Sequence, residues 1–114
     1  MVNANGAGGE KGIWGRRSEW VDYSGRVGSE DVGVAIFDHP QNLRTPAYWH
    51  ARAYGLLAAN PFGLRQFTGD RRRDGRYVIP AGESLVLRYG VVVHQGNASQ
   101  EDVAGAYLQF AAQQ

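Results

Sequence analysis

Between residues 37 and 63 the chain reads FDHPQNLRTPAYWHARAYGLLAANPFG, and this stretch holds most of its side chains suited to chemistry. Asp38, His39, Asn42, Arg44, Trp49, His50, Arg52, Tyr54 and Asn60 crowd carboxylate, imidazole, amide, guanidinium and aromatic groups together. A sugar is held by such a set: rings lie under its C–H face, and planar polar groups bond its hydroxyls. The same residues would equally pin a loop onto itself. Trp49 and Tyr54 would then fill the core, and Asp38 would bond backbone beside Pro40.

The three histidines are His39, His50 and His94. Imidazole titrates near neutral pH and ligates metals when neutral, so these residues are candidates for acid–base or metal chemistry. No H-x-H, HExxH or helical i, i+4 pair occurs among them, so spacing does not select a metal. In the acid–base reading His50 or His94 is the general acid, Asp38 is a base or orients a histidine, and His39 stands beside them. Arg44 and Arg52 hold hydroxyls or an acid group, while Trp49, Asn42, Asn60, Tyr54 and Arg88 complete the substrate-binding set. The alternatives are a non-catalytic sugar-binding module and a metal-dependent enzyme using His39, His50 and His94. The residues leave the cofactor unknown.

The remaining motifs carry less. Residues 71–76, RRRDGR, form the one charge run, but Asp-Gly is a turn signal, so a solvated hairpin tip is expected. Gly6, Gly8, Gly9 and Gly12 have no Gly-Lys-Ser/Thr after them, and no G-x-S-x-G occurs, so neither a phosphate loop nor a hydrolase triad is supported. Glu83, within PAGE, reads as a turn residue.

The elements that must position these groups read as mainly β. Residues 19–23 are expected to form a strand closed by a turn at Ser24-Gly25, and residues 32–37 (VGVAIF) a buried strand. Residues 39–48, with two prolines, are expected to be a loop, of the length that is often functional. His50 follows it, and residues 54–59 read as a strand broken at Asn60-Pro61. Residues 76–79 and 84–94 are expected to make a hairpin around Pro80-Ala81-Gly82-Glu83. In its second strand Leu85, Leu87, Tyr89, Val91 and Val93 share one face, read as core. Arg88 and His94 share the other, read as facing solvent or a cleft. Ser99 is placed as the N-cap of a terminal helix whose apolar stripe is Val103, Ala106, Tyr107 and Phe110. The expectation is an antiparallel β-sandwich with a C-terminal helix.

At 114 residues the chain suits one domain. A net charge of +1 gives no field to recruit nucleic acid or an anionic membrane. No segment approaches the roughly 20 apolar residues of a membrane-spanning helix. Without cysteine there are no disulfides or thiolate metal sites, and the compartment stays undetermined. The Gly-rich N-terminus has no apolar signal-peptide core and reads as the start of a fragment. A truncated sandwich would leave open strand edges, which invite self-association.

The run FDHPQNLRTPAYWHARAYGLLAANPFG resembles the signature of a bacterial family of unknown function, DUF6807, often labelled "methane oxygenase PmoA". The resemblance extends to WGRRSEWVDYSG before it and to YVIPAGESLVLRYGVVVHQG with a helix after it. It implies a β-sandwich, with distant similarity to the galactose-mutarotase supersandwich, and hence a carbohydrate ligand. It also implies a longer parent protein with this region at its C-terminal end. Its signature positions would be Asp38, His39, Asn42, Arg44, Trp49, His50, Arg52, Asn60 and His94. The chain departs at Leu43, where a proline is common, and at Gly90, where a larger residue is usual. The label implies a membrane-embedded oxygenase subunit, which a chain without a spanning segment does not resemble, so it reads as a misnomer.

Overall fold

The computed structural model describes residues 1–96 and 100–114. Two antiparallel sheets form its β portion. The larger has four strands in the order β1 (Val2–Asn3), β2 (Trp20–Val27), β3 (Glu30–Asp38) and β6 (Tyr89–Gln95). The smaller pairs β4 (Tyr48–Arg52) with β5 (Leu56–Asn60). Short helices α1 (Gly9–Ile13) and α2 (Leu64–Thr68) lie in the connections, and α3 (Gln100–Ala111) ends the chain. The expected antiparallel β architecture with a C-terminal helix is what forms.

Strand parity sorts the large sheet into two faces. On one, Trp20, Phe37 and Gly90 stand in register, as do Asp22, Ala35 and Val92. The α3 stripe of Val103, Ala106, Tyr107 and Phe110 covers this face, making a core with Trp20, Ala35 and Phe37. Gly90 is explained here, because a Cβ would stand only 3.0 Å from the Phe110 ring. On the opposite face Val21 and Ile36 meet the small sheet, whose Trp49, Ala51, Leu57 and Ala59 point inward with Ile13. The small sheet is narrower than the large one. It leaves β6 uncovered on that side, where Val91 and Val93 are 62% and 75% exposed.

Several expectations are corrected. Strand β2 runs on to Val27, so Ser24-Gly25 lies within it and the turn falls at Gly28 and Ser29. The N-terminal segment is more than a loop, since it supplies β1, α1 and the buried Ile13. The hairpin over residues 76–94 does not form. Its first arm is not a strand, its second is a strand only over Tyr89–Gln95, and that strand pairs with β3. The turn at Pro80 and Glu83 is present, closed by a 3.0 Å backbone hydrogen bond. The face carrying Tyr89, Val91 and Val93 is the open one, because α3 covers the face of Val92 and His94. Ser99 lies outside the described residues.

Candidate functional site

Asp38, His39 and Asn42 are consumed by structure. One Asp38 oxygen accepts from Asn42 Nδ2 at 2.7 Å. The other accepts from Thr45 Oγ1 and from the Ala47 backbone N–H, both at 2.9 Å. Asn42 also clasps Arg88, donating to its carbonyl at 2.6 Å and accepting from its N–H at 2.7 Å. His39 is buried, and its Nδ1 accepts from the Gln41 N–H at 3.1 Å. The proton must then sit on Nε2, which donates to the Gln113 carbonyl at 2.7 Å. Each group has its partners and none opens onto a cavity. They tie the loop to β6 and to the end of α3.

Arg44 and Trp49 are structural too. Arg44 adopts a left-handed backbone with φ 59°, and its guanidinium donates to the carbonyls of Pro61, Gly75 and Arg76 at 2.7–3.0 Å. It staples two loops together. Trp49 is fully buried, and its Nε1 donates to the Ser18 carbonyl at 2.9 Å. It cannot serve as the ligand-facing wall that the sequence suggests. Tyr54 is 82% exposed at the β4–β5 turn, neither core nor part of a cleft. The Arg88 side chain is exposed beyond its clasped backbone.

His94 is mostly turned away from solvent and borders only a small depression beneath α3. Its ring lies across Gly33, its partner on β3, in the space a Cβ there would occupy. It thereby reaches Asp22 on β2, placing Nε2 2.7 Å from Oδ1, while Nδ1 stands 3.1 Å from the Gly96 carbonyl. Both partners are acceptors, so only the doubly protonated ring donates to both. The Asp22 hydrogen bond raises the His94 pKa above its ordinary 6.5, against the opposing effect of burial. A void of about 110 Å³ adjoins the pair, lined by Val92, Asp102, Val103 and Ala106 among others.

His50 differs from the other two. Strand β4 turns Trp49 and Ala51 inward, so Tyr48, His50 and Arg52 point to the outer face. Opposite His50 on β5 stands only the small Ala58. Residues 14–18 run along β4, with Gly15 N–H bonded to the Trp49 carbonyl at 2.9 Å and Trp49 N–H to that of Arg16 at 3.2 Å. This sets Trp14 beside His50, with ring centroids 6.5 Å apart. Phe67 of α2 closes the group, 5.4 Å from Trp14, 6.3 Å from His50 and stacked on Tyr48 at 5.8 Å.

The result is an aromatic-walled cleft of about 490 Å³, lined by Trp14, His50, Asn60, Phe62, Gln66 and Phe67 with Gly63. A second depression of about 480 Å³ shares Phe62 and Gln66 with it and adds Arg65, Asp74, Gly75 and Arg76. Neither ring nitrogen of His50 has a hydrogen-bond partner among the described residues, and the Gln66 amide is likewise open. Asn60 accepts the Phe62 N–H at 2.8 Å, which leaves its NH₂ available. The Trp14 Nε1 is buried without an acceptor, the one such side-chain atom among the described residues. At the rim, Arg52 lies over the Trp14 ring at 5.1 Å and 3.5 Å from Glu10. Hydrogen bonds from the Arg76 N–H and guanidinium hold the Asp74 carboxyl below its usual range, so it stays ionised.

The structure therefore brings together His50 and Asn60, with Arg52 at the rim, and separates them from the rest of the expected site. His39 and His94 lie under opposite ends of α3, and His50 lies on the other sheet. Among the described residues no three histidine, cysteine, aspartate or glutamate groups converge to hold a metal. That geometry removes the basis of the three-histidine alternative. Trp14, Phe62, Gln66 and Phe67 were missed from sequence. The legible signal was the alternation of Tyr48-Trp49-His50-Ala51-Arg52, which as a strand sends His50 to the face opposite Trp49.

Taken together, fold and site define an antiparallel β protein with a C-terminal helix and a cleft on the outer face of its small sheet. Residues 1–108 match a family of unknown function, DUF6807, and the chain belongs to it. No curated protein and no solved structure matches the chain.

Proposed function

We propose that the chain binds a sugar in the cleft over His50, as a binding module rather than as an acid–base centre assembled from several histidines. What carries this reading is His50 itself, an imidazole with both nitrogens open inside a cleft walled by Trp14, Phe62 and Phe67. Aromatic rings take the apolar face of a pyranose, while His50, the Asn60 NH₂ and the Gln66 amide offer bonds to its hydroxyls. The expected acid–base pair, an acid and a base acting on one substrate, would need a second titrating group within reach. Of the carboxylates around it, Asp74 in the adjoining depression is paired with Arg76 at 2.6 Å, Glu10 at the rim lies 3.5 Å from Arg52, and Asp38 is locked in its loop.

Saturation-transfer NMR against a panel of neutral monosaccharides and uronic acids tests the reading. Phe62 is exposed enough to be replaced safely, and Phe62→Ala is expected to weaken binding about tenfold, the value of a lost aromatic platform of roughly 1.5 kcal/mol. Tyr54→Ala, outside the cleft, should bind as the wild type does. Absence of saturation transfer with every sugar would count against the proposal, as would transfer unaffected by Phe62→Ala. A sugar-anomer exchange activity lost in His50→Ala with binding retained would replace the binding module by a single-histidine enzyme.

A further inference from the structure

Strand β6 ends the four-stranded sheet, so one row of its backbone N–H and C=O groups faces outward without a strand partner among the described residues. Proteins commonly protect such edges with charge, proline, bulges or a covering segment. Here Tyr89-Gly90-Val91-Val92-Val93-His94-Gln95 carries no lysine or carboxylate, and its one ionisable cation, His94, is turned inward onto Asp22. Val91 and Val93 are exposed on the face that the small sheet leaves open.

The two ends of this edge differ in charge. At one end Arg88 is exposed, with no partner for its guanidinium among the described residues. At the other, Glu30 and Asp31 border a shallow depression with Gln95 and Gly96, and their carboxylates are unpaired among the described residues. An antiparallel pairing of two copies centred on Val92 sets each Arg88 opposite the partner copy's Gly96, on the same face as that copy's Asp31. It also lays valine against valine across the seam. The edge is thus complementary to itself in charge, side-chain shape and backbone hydrogen bonding, which an isologous two-fold contact requires.

We propose that β6 is a homodimer interface, joining two four-stranded sheets into one continuous sheet by β6–β6 pairing. The pairing satisfies the outward backbone row, covers Val91 and Val93 in part, and places the arginine of each copy toward the Asp31 carboxylate of the other. It leaves the cleft over His50, on the small sheet, outside the interface.

Sedimentation velocity of the full chain over a range of concentrations tests this. A concentration-dependent dimer is expected, with slowed amide exchange along Tyr89–Gln95 as the dimer forms. Val93→Lys, at an exposed position that need not disturb the fold, should shift dissociation to at least about tenfold higher concentration. Arg88→Glu should weaken the dimer, and Arg88→Glu combined with Asp31→Arg should restore it. A monomer at every concentration overturns the proposal and leaves the edge to a strand from a different protein. A dimer indifferent to Val93→Lys, or one in which the charge exchange does not restore association, overturns it as well.

Discussion

His94 is held between two acceptors, the Asp22 carboxylate on β2 and the Gly96 carbonyl just beyond β6, and this fixes its charge. The unfolded chain protonates the same ring at its ordinary value near 6.5, whereas the folded chain holds the proton to higher pH. Below the unfolded value both states are protonated and the full stabilisation is present. It is lost as pH rises through the raised folded value. Replacement by His94→Ala leaves Asp22 buried without its cation and should cost about 3 kcal/mol at pH 6. The difference from wild type should shrink as pH rises above that window, read as urea unfolding at pH 6 and pH 9. A difference that grew with pH would contradict the ion pair. At this scale the sequence was a partial guide. Which residues were chemically able was plain, but whether an aspartate or histidine serves a ligand or its own backbone depends on partners distant in the chain. Asn42 meets Arg88, and His39 meets Gln113.

Among the elements, Arg44 links the central loop to the segment that carries the cleft. Its charged hydrogen bonds to three carbonyls offset the modest cost of a left-handed backbone at a residue other than glycine. Arg44→Ala should destabilise the fold by about 2 kcal/mol. It should also speed amide exchange over residues 61–76 while leaving β2 and β3 protected. Unchanged exchange there would show that the staple holds nothing. The strands through the centre of the large sheet were legible because residues 32–37 are apolar and bounded by turn residues. The hairpin over residues 76–94 was not. Its alternation marks strand-forming sequence, but alternation does not say which neighbour a strand pairs with, nor which of its faces a helix covers. Here β6 pairs with β3, and α3 takes the face holding Val92 and His94 rather than the one holding Val91 and Val93. Residues 77–79 and Val86 are left exposed as a result.

The molecule as a whole is longer than a compact chain of its size, measuring 50 × 33 × 23 Å with a radius of gyration of 14.9 Å. The expected radius is about 13 Å. Its antiparallel β class and terminal helix followed from composition and strand pattern, and family membership followed from the central signature. The cleft was not legible in the same way. The candidate cleft lies on the outer face of the small sheet, where Trp14, Phe67 and His50 converge from segments distant in sequence, and no spacing rule links those positions. Among the three histidines, His50 alone is proposed to serve a ligand, while His39 and His94 serve the fold. Imidazole ¹⁵N NMR, recorded while titrating the sugar that gives the strongest saturation transfer, tests it most directly. The His50 ring signals are expected to shift with saturating dependence on ligand, with those of His39 and His94 unchanged. A shift at His94 or His39 with His50 silent would contradict it.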